Sequence, residues 1–342
     1  LELVRYLSDK TSFNNCPAYG GSIGVGDMAA DNYLNLGMLS GKVENLGDAW
    51  EYFQKLTARY FADDDPVDEE TLSRVRLLGQ RTAEMHLALS GESALVETHR
   101  GAVSVMQEST GAYGSGAAAG AMMVPEAMSS AYRKEITEAA TKLLARQVRE
   151  LGAKVGGLPT DLQSLAQRVL DLEEQLTARL QALAAVEMSV DLIRIHADYH
   201  LGQVLVTAED FCIIDFEGEP LLSIPERRRK RPALKDVAGM IRSFHYAANG
   251  QILLNPDIYV GHNPQTLEQR ADEWYRSVSA AFLEAYYTTA GDASFLPTEP
   301  PDRQLLLDLF VLEKAVYEVA YELNSRPAWL GIPLTGVLAV VK

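Results

Sequence analysis

The sequence of 342 residues predicts an α+β protein of two lobes: a small, partial α/β lobe over residues 1–45 and a large, mainly helical lobe over residues 46–342. Glycines flank two short strand candidates near the start, at 18–25 and 33–39. Apolar residues then recur at helical spacing through most of the chain. Two short β-rich runs, at 192–196 and 211–215, interrupt that pattern, and each ends in polar residues.

The elements follow from local patterns in chain order. An amphipathic helix over the first residues precedes the strand candidates, and Gly47-Asp48 opens the next helix. Further helices are predicted within 66–90, 125–185, 234–248, 268–290 and 302–324. The segment 125–185 breaks near Gly156-Gly157, which predicts two antiparallel helices. The Gly/Ala/Ser-rich stretch 111–120 is predicted to be a loop or connector.

The overall charge limits the classes of partner. With 31 Lys and Arg against 47 Asp and Glu, the formal net charge is −16, which argues against nucleic-acid and anionic-membrane binding. The basic run 227–231 is therefore interpreted as a solvated or phosphate-facing loop. No apolar stretch of about 18 residues is present to span a bilayer, and we expect a cytoplasmic protein.

Two polar clusters carry the candidate chemistry, and each follows a β-rich run. The first contains His196, Asp198, His200 and Gln203, and the second contains Asp215, Glu217 and Glu219. We expect both clusters to meet at the mouth of one hairpin. Because carboxylates crowded together repel one another, a divalent cation shared between them would stabilise the arrangement.

The order of these residues is typical of phosphoryl transfer. In protein kinases a catalytic Asp precedes a metal-binding Asn by five positions, and an Asp-Phe-Gly triplet follows. Here Asp198 precedes Gln203 by five positions, and Asp215-Phe216-Glu217 follows. Gln replaces Asn and Glu replaces Gly, yet both replacements still offer oxygen ligands. The pattern predicts a site for ATP and Mg²⁺.

Two other interpretations of the first cluster stay open. His196, Asp198 and His200 have the residue types of a metallohydrolase site, because imidazole readily binds transition metals. They can also be ordinary residues of a hydrogen-bonded turn. The downstream Asp215-Phe216-Glu217 favours the kinase interpretation.

Three segments resemble a known family. They read R-I-H-A-D-Y-H-L-G-Q at 194–203, D-F-E-G-E-P at 215–220 and D-V-A-G-M-I-R-S-F-H-Y-A-A at 236–248. The chain resembles the aminoglycoside-phosphotransferase-like kinases of the protein-kinase-like superfamily, and among them the maltokinases. Ala197 departs from the glycine of that family. The resemblance implies a bilobal protein-kinase-like fold and ATP-dependent phosphorylation of maltose to maltose 1-phosphate, which feeds α-glucan and glycogen synthesis.

The resemblance also implies roles for individual residues. Asp198 would be the catalytic base and His200 would shape its loop, while Asp236 would brace the loop backbone. The implied metal ligands are Gln203, Asp215 and Glu217, and the implied nucleotide contacts are Glu2, Leu39 and Val43. The implied sugar contacts are His196, Lys314, Tyr317, Glu318, Tyr321, Glu322, Asn324 and Trp329. The aromatic members of that set are equally compatible with a place in the core.

One family feature is not found in the sequence. The resemblance implies a strand lysine on the nucleotide phosphates, and residues 1–40 offer no candidate, although Glu2 is the type of residue that would pair with it. We therefore expect the chain to be a fragment of a longer polypeptide, fused to or associated with a trehalose synthase. The alternatives are a kinase of an aminoglycoside or amino sugar, and a kinase-like regulatory or binding domain of a trehalose-converting enzyme.

Overall fold

The computed structural model describes residues 1–26, 34–62, 65–91 and 123–340. Its α-helices are α1 (Glu2–Lys10), α2 (Ala49–Ala62), α3 (Glu69–Ser90), α4 (Ser130–Lys154), α5 (Thr160–Asp171), α6 (Glu173–Ala185), α7 (Ile224–Arg227), α8 (Leu234–Leu254), α9 (Pro264–Ala290), α10 (Pro300–Ser325) and α11 (Gly331–Ala339). Its strands are β1 (Tyr19–Val25), β2 (Leu34–Ser40), β3 (Glu126–Ala127), β4 (Asp191–Leu192), β5 (Val204–Val206) and β6 (Phe211–Ile213). The predicted α+β, mostly helical class is confirmed.

The strands form three separate antiparallel pairs within these residues: β1 with β2, β3 with β4, and β5 with β6. The β1–β2 pair leaves several apolar side chains exposed, including Ile23 and Leu36. The β5–β6 pair lies deeper, since Val204 and Ile213 face each other in its register and both are buried. The predicted β-rich run at 192–196 is shorter than expected, because β4 ends at Leu192 and Ile193 forms only an isolated bridge with Arg231.

Long helices build the core. Helix α3 packs along α9, and their closest approach is at Gly79, where a Cβ atom would lie 2.4 Å from the carbonyl oxygen of Phe282. Helix α8 contacts α2, α9 and α10, and 14 of its 21 residues are buried. Phe244 of α8 meets Phe53 and Phe282 edge to face, which joins three helices in one apolar cluster.

The segment predicted as two helices between 125 and 185 contains three. The expected break lies at 155–157, but a second occurs at Leu172, whose backbone leaves the helical conformation (φ −98°, ψ 5°). Glu173 and Glu174 then stand in the first turn of α6, where carboxylates are favoured by the helix dipole. The predicted connector 111–120 lies outside the described residues.

The packing of α8 places the loop that carries the first polar cluster. A Cβ atom at Gly239 would lie 2.5 Å from the carbonyl oxygen of Tyr199, so the helix and the loop touch at this point. The tyrosine hydroxyl lies 2.9 Å from the hydroxyl of Thr82 on α3. The loop is therefore held between α3 and α8. Among the helices of the described segments, none has the length and apolar character needed to cross a membrane.

Candidate active site

A buried carboxylate fixes the backbone at the start of the catalytic loop, defined here as residues 196–203. Asp236 accepts hydrogen bonds from the N–H of His196 at 2.7 Å and of Ala197 at 2.8 Å. Its side chain also lies 3.2 Å from Nε2 of His86, whose other ring nitrogen lies 2.9 Å from the hydroxyl of Tyr286. Asp236 thus braces the loop, as the sequence implied, and its negative charge is offset by three nitrogen partners.

The ring of His196 joins the two polar clusters. Its Nδ1 accepts from the N–H of Asp198 at 3.4 Å, so its Nε2 carries the proton and donates to the carbonyl oxygen of Ile214 at 2.8 Å. The imidazole is fully buried and packs on Phe216, with ring centroids 4.9 Å apart. His196 therefore ties the loop to the residues before Asp215. Its predicted sugar contact stays a prediction.

Two residues of the site have left-handed backbone conformations. Ala197 has φ +71° and Asp215 has φ +62°, the only non-glycine residues with positive φ in the described part of the chain. Asp tolerates this region better than Ala does, because its short polar side chain can bond locally. These conformations turn the chain sharply on either side of the hairpin and bring both carboxylate-bearing segments to one place.

The predicted metal ligands Gln203 and Asp215 are in contact. The Gln203 Nε2 donates to Oδ2 of Asp215 at 2.8 Å, while Glu217 is exposed nearby in sequence. Among the residues that the structure describes, no group of three or more His, Cys, Asp or Glu side chains is arranged so that it could hold a metal ion. A carboxylate and an amide oxygen nevertheless suit Mg²⁺, which commonly takes only one or two carboxylates alongside nucleotide phosphates and water.

His200 is held as a neutral imidazole within the loop. Its Nδ1 accepts from the N–H of Gly202 at 3.1 Å, and a Cβ atom at Gly202 would approach the ring to 2.9 Å. Burial lowers the pKa of His200, and the nearby charge of Asp198 opposes this only in part. The ring therefore lies within the turn between Asp198 and Gln203, and the role that the resemblance implied for His200 stays a prediction.

A polar cavity of about 110 Å³ opens beside Asp198. Its polar lining consists of Asp198, Tyr199, Glu219, Lys235, Asp236, Glu313, Lys314 and Tyr317. The Tyr317 hydroxyl donates to Oε1 of Glu219 at 3.2 Å, and burial together with that carboxylate raises the pKa of Tyr317 to about 12. Positively and negatively charged side chains line the cavity and offer hydrogen-bond donors and acceptors. Such a lining suits a small ligand with several hydroxyl groups.

The predicted sugar contacts on α10 lie in two different environments. Lys314 and Tyr317 line the cavity beside Asp198, with the ammonium 5.4 Å from the ring centre. Glu318 is instead buried against Arg242, whose Nε and Nη2 donate to it at 2.9 and 2.7 Å. Glu322 accepts from the hydroxyl of Tyr246 at 3.0 Å. The two glutamates thus have structural partners, and their sugar contacts stay predictions.

Of the remaining predicted sugar residues, Tyr321 and Asn324 lie near the end of α10, and Trp329 lies in the short turn after it. Tyr321 is 49% exposed, and Asn324 donates to Glu150 at 3.0 Å. Trp329 stacks on Tyr246 with ring centroids 6.2 Å apart. Lys235 and Glu313, by contrast, line the cavity, although nothing in their sequence context beyond their charge predicted it.

The predicted nucleotide contacts are spread over three places. Leu39 is exposed on β2, and the carbonyl oxygen of Val43 accepts from Asn45 at 2.9 Å. Glu2 on α1 forms an ion pair with Arg228, and its Oε2 lies 3.5 Å from Nη1 of Arg194. Their nucleotide roles stay predictions.

The sequence profile of the phosphotransferase enzyme family (APH) matches residues 39–218, which is more than half of the chain and includes both polar clusters except Glu219. The chain belongs to the phosphotransferase enzyme family. This membership agrees with the family resemblance of the segments at 194–203 and 215–220.

Curated relatives of this phosphotransferase are glucosamine kinases. That of Streptacidiphilus jiangxiensis is 30% identical over 194 residues, which cover 55% of this chain and 40% of the relative. That of Mycolicibacterium smegmatis (strain ATCC 700084 / mc(2)155) is 28% identical over 138 residues, which cover 40% of this chain and 32% of the relative. The chain therefore spans less than half of the length of either relative. These names support the predicted family and give the maltokinase interpretation no specific support.

Solved structures share the fold. A glucosamine kinase in complex with glucosamine, ADP and inorganic phosphate superposes with a TM-score of 0.72 at 20% identity, over 100% of this chain and 68% of that one. A second crystal form of a glucosamine kinase gives a TM-score of 0.70 at 19% identity, over 99% and 69%. The predicted kinase-like α+β fold is thus confirmed, while the boundary between lobes at residue 45 stays a prediction.

Proposed function

We propose that this phosphotransferase transfers the terminal phosphate of ATP to a hydroxyl of a small sugar, and that an amino sugar of the glucosamine type is its substrate. The observation that carries the proposal is the position of Asp198, which lines a polar cavity of about 110 Å³. Gln203, at the end of the catalytic loop, contacts Asp215, which follows the β5–β6 hairpin. Family membership supports the reaction class.

Each part of this site has a role in the proposed reaction. The oxygen of the sugar hydroxyl forms a bond to the γ-phosphorus as ADP leaves, and Asp198 accepts the proton of that hydroxyl. Gln203 and Asp215 would hold Mg²⁺ through amide and carboxylate oxygens, and the bound ion would neutralise charge on the nucleotide phosphates. Asp236 and His196 keep the loop backbone in place while the proton moves.

An amino sugar suits the charges of the cavity. Glu219 and Glu313 provide carboxylates next to Asp198, and a carboxylate is the natural partner of a sugar ammonium group. The small enclosed volume suits one pyranose ring better than two. The curated relatives and the solved structures are also glucosamine kinases, which favours an amino sugar.

Maltose is the second candidate, because the segment 236–248 resembles that of maltokinases. That candidate includes the expected association with a trehalose synthase. The binding-domain alternative makes a different prediction, namely sugar binding without ADP release.

The test is a substrate panel with the full-length polypeptide, ATP and Mg²⁺, followed by coupled detection of ADP. Glucosamine, glucose, maltose and an aminoglycoside are compared by kcat/KM. We expect glucosamine to have the highest value and Asp198→Asn to release no ADP above background. A higher value for maltose would overturn the amino-sugar proposal. Sugar binding with no ADP release from any substrate would overturn the kinase proposal itself.

A further inference from the structure

A second cavity, of about 470 Å³, shares no lining residue with the cavity beside Asp198. Four of its lining residues are cations, which is unusual in a chain with a net charge of −16. The lining consists of Glu126, Tyr132, Leu192, Arg194, Arg228, Arg229 and Lys230. We call it the basic cavity.

Two backbone hydrogen bonds assemble the basic cavity. The N–H of Ile193 donates to the carbonyl oxygen of Arg231 at 3.1 Å, and the N–H of Arg231 donates back to Ile193 at 2.8 Å. This bridge joins the segment that leads into the catalytic loop to the segment that follows α7. Arg194 consequently lies next to the basic residues 228–230.

Arg194 is the central residue of the basic cavity, because it is a buried cation with unused hydrogen-bond donors. The residue is only 5% exposed, and its Nε and Nη1 are buried without a hydrogen-bond partner in the part of the chain that the structure describes. Oε2 of Glu2 lies 3.5 Å from Nη1 and forms a long ion pair with it. Burial lowers the pKa of Arg194. Such a group is costly unless acceptors reach it.

The other cations of the cavity have partners that an anion can replace. Arg228 pairs with Glu2, Arg229 with Glu135 at 2.8 Å, and Lys230 with Glu126. The side chains of Arg228 and Arg229 are 52% and 45% exposed, and ion pairs as open as these contribute little stability. A ligand with several charged oxygens would therefore compete with these carboxylates.

We propose that the basic cavity binds a small, free phosphate dianion, either inorganic phosphate or a phosphate monoester. A guanidinium group can donate two parallel hydrogen bonds to two oxygens of such a dianion. The cavity offers three guanidinium groups and one ammonium group. The bound dianion would cross-link Arg194, four residues before Asp198, to the segment 228–230. This site is independent of the proposed substrate.

The test is a calorimetric titration of the full chain with inorganic phosphate, without divalent metal and against chloride at equal ionic strength. In Arg228→Ala/Arg229→Ala, whose side chains are half-exposed, we expect the Kd to rise at least about tenfold. Arg194→Met should have the same effect. Arg179→Ala is the matched control, because it removes a comparably exposed arginine that pairs with Asp308 elsewhere. Lys314→Ala removes a cation from the cavity beside Asp198 and controls for binding at the candidate active site.

The outcomes separate clearly. Unchanged Kd values in the Arg228→Ala/Arg229→Ala protein, or no saturable binding by the wild type, would overturn the proposal. Loss of binding in Lys314→Ala with retention in the arginine variants would place the phosphate at the candidate active site and also overturn it. A parallel titration with glucosamine 6-phosphate identifies the ligand within the proposed class: tighter binding indicates an ester, and equal binding indicates inorganic phosphate.

Discussion

The carboxylate of Asp236 holds the N–H of Ala197 at 2.8 Å, while Ala197 itself has a φ of +71°. A non-glycine residue in this region costs roughly 1–2 kcal/mol. The hydrogen bonds from Ala197 and from the adjacent His196 help to offset that cost, since both donors are directed at one buried carboxylate. The turn before Asp198 is thus kept by contacts with α8 and not by local preference.

Replacing Ala197 by glycine should relieve this strain. We expect Ala197→Gly to raise the free energy of unfolding by up to about 1 kcal/mol, because the relief of strain exceeds the added entropy of the unfolded chain. Urea unfolding measures the difference. Ala139→Gly, on the exposed face of α4, is the matched control and should lose about 1 kcal/mol. An equal loss in both variants would show that Ala197 is not strained.

Removal of the Asp198 carboxylate should abolish catalysis without unfolding the protein. Asp198→Asn keeps the size of the side chain but cannot accept the proton of the substrate, so we expect kcat to fall by at least about 10²-fold. Coupled ADP release gives kcat, and the Tm checks the fold. Asp257→Asn removes an exposed carboxylate as the control. Comparable turnover in Asp198→Asn and wild type would exclude Asp198 as the base.

Acidification should weaken the fold through His245. Burial, followed by the charge of Arg242, lowers the pKa of His245 well below its ordinary value, and an Nη1 of that arginine lies 3.0 Å from its Nδ1. The unfolded chain takes up a proton near pH 6.5 while the folded imidazole stays neutral. The free energy of unfolding contributed by this group is therefore fully present above pH 6.5 and declines as the pH falls below it.

This pH dependence is measured by urea unfolding between about pH 7 and pH 5. The His245 contribution to the slope reaches at most about 1.4 kcal/mol per pH unit. His245→Asn retains an acceptor for Arg242 but cannot take up the proton, so its slope should be shallower than that of the wild type. His200, whose pKa is also lowered, contributes equally to both proteins. Identical slopes would show that His245 is not the responsible group.

Arg242 and Glu318 should be coupled strongly. Both are buried, and two guanidinium nitrogens donate to one glutamate oxygen at 2.9 and 2.7 Å. Arg242→Met leaves an unpaired buried carboxylate, so we expect a loss of about 3–5 kcal/mol. Arg242→Met/Glu318→Leu should lose less than the sum of the two single variants. Urea unfolding of all four proteins gives the coupling energy, and additive losses would contradict the pairing.

The contacts within the two polar clusters were predictable because each cluster is local in sequence. Asp198 and Gln203 share one short loop, and a single hairpin returns the chain to Asp215. The surroundings of α10 were not predictable in the same way. Helical periodicity places Lys314 and Glu318 one turn apart on the same side, yet one lines the cavity and the other meets Arg242, 76 residues earlier.

The helices were predicted best where apolar spacing is regular and both ends carry a signal. For α9 and α10 the predicted and observed ranges differ by a few residues only. The break at Leu172 was missed because apolar spacing continues through it. Leu172 is itself apolar, and no glycine or proline marks the position; only the acidic pair after it does.

The contact between Gly239 and the carbonyl of Tyr199 has an evolutionary consequence. The helix and the loop are apposed so closely that even a methyl group at position 239 would push the loop away from its brace. A saturation library at this site should therefore return glycine alone among functional clones. Selection at position 239 would therefore act on the absence of a side chain.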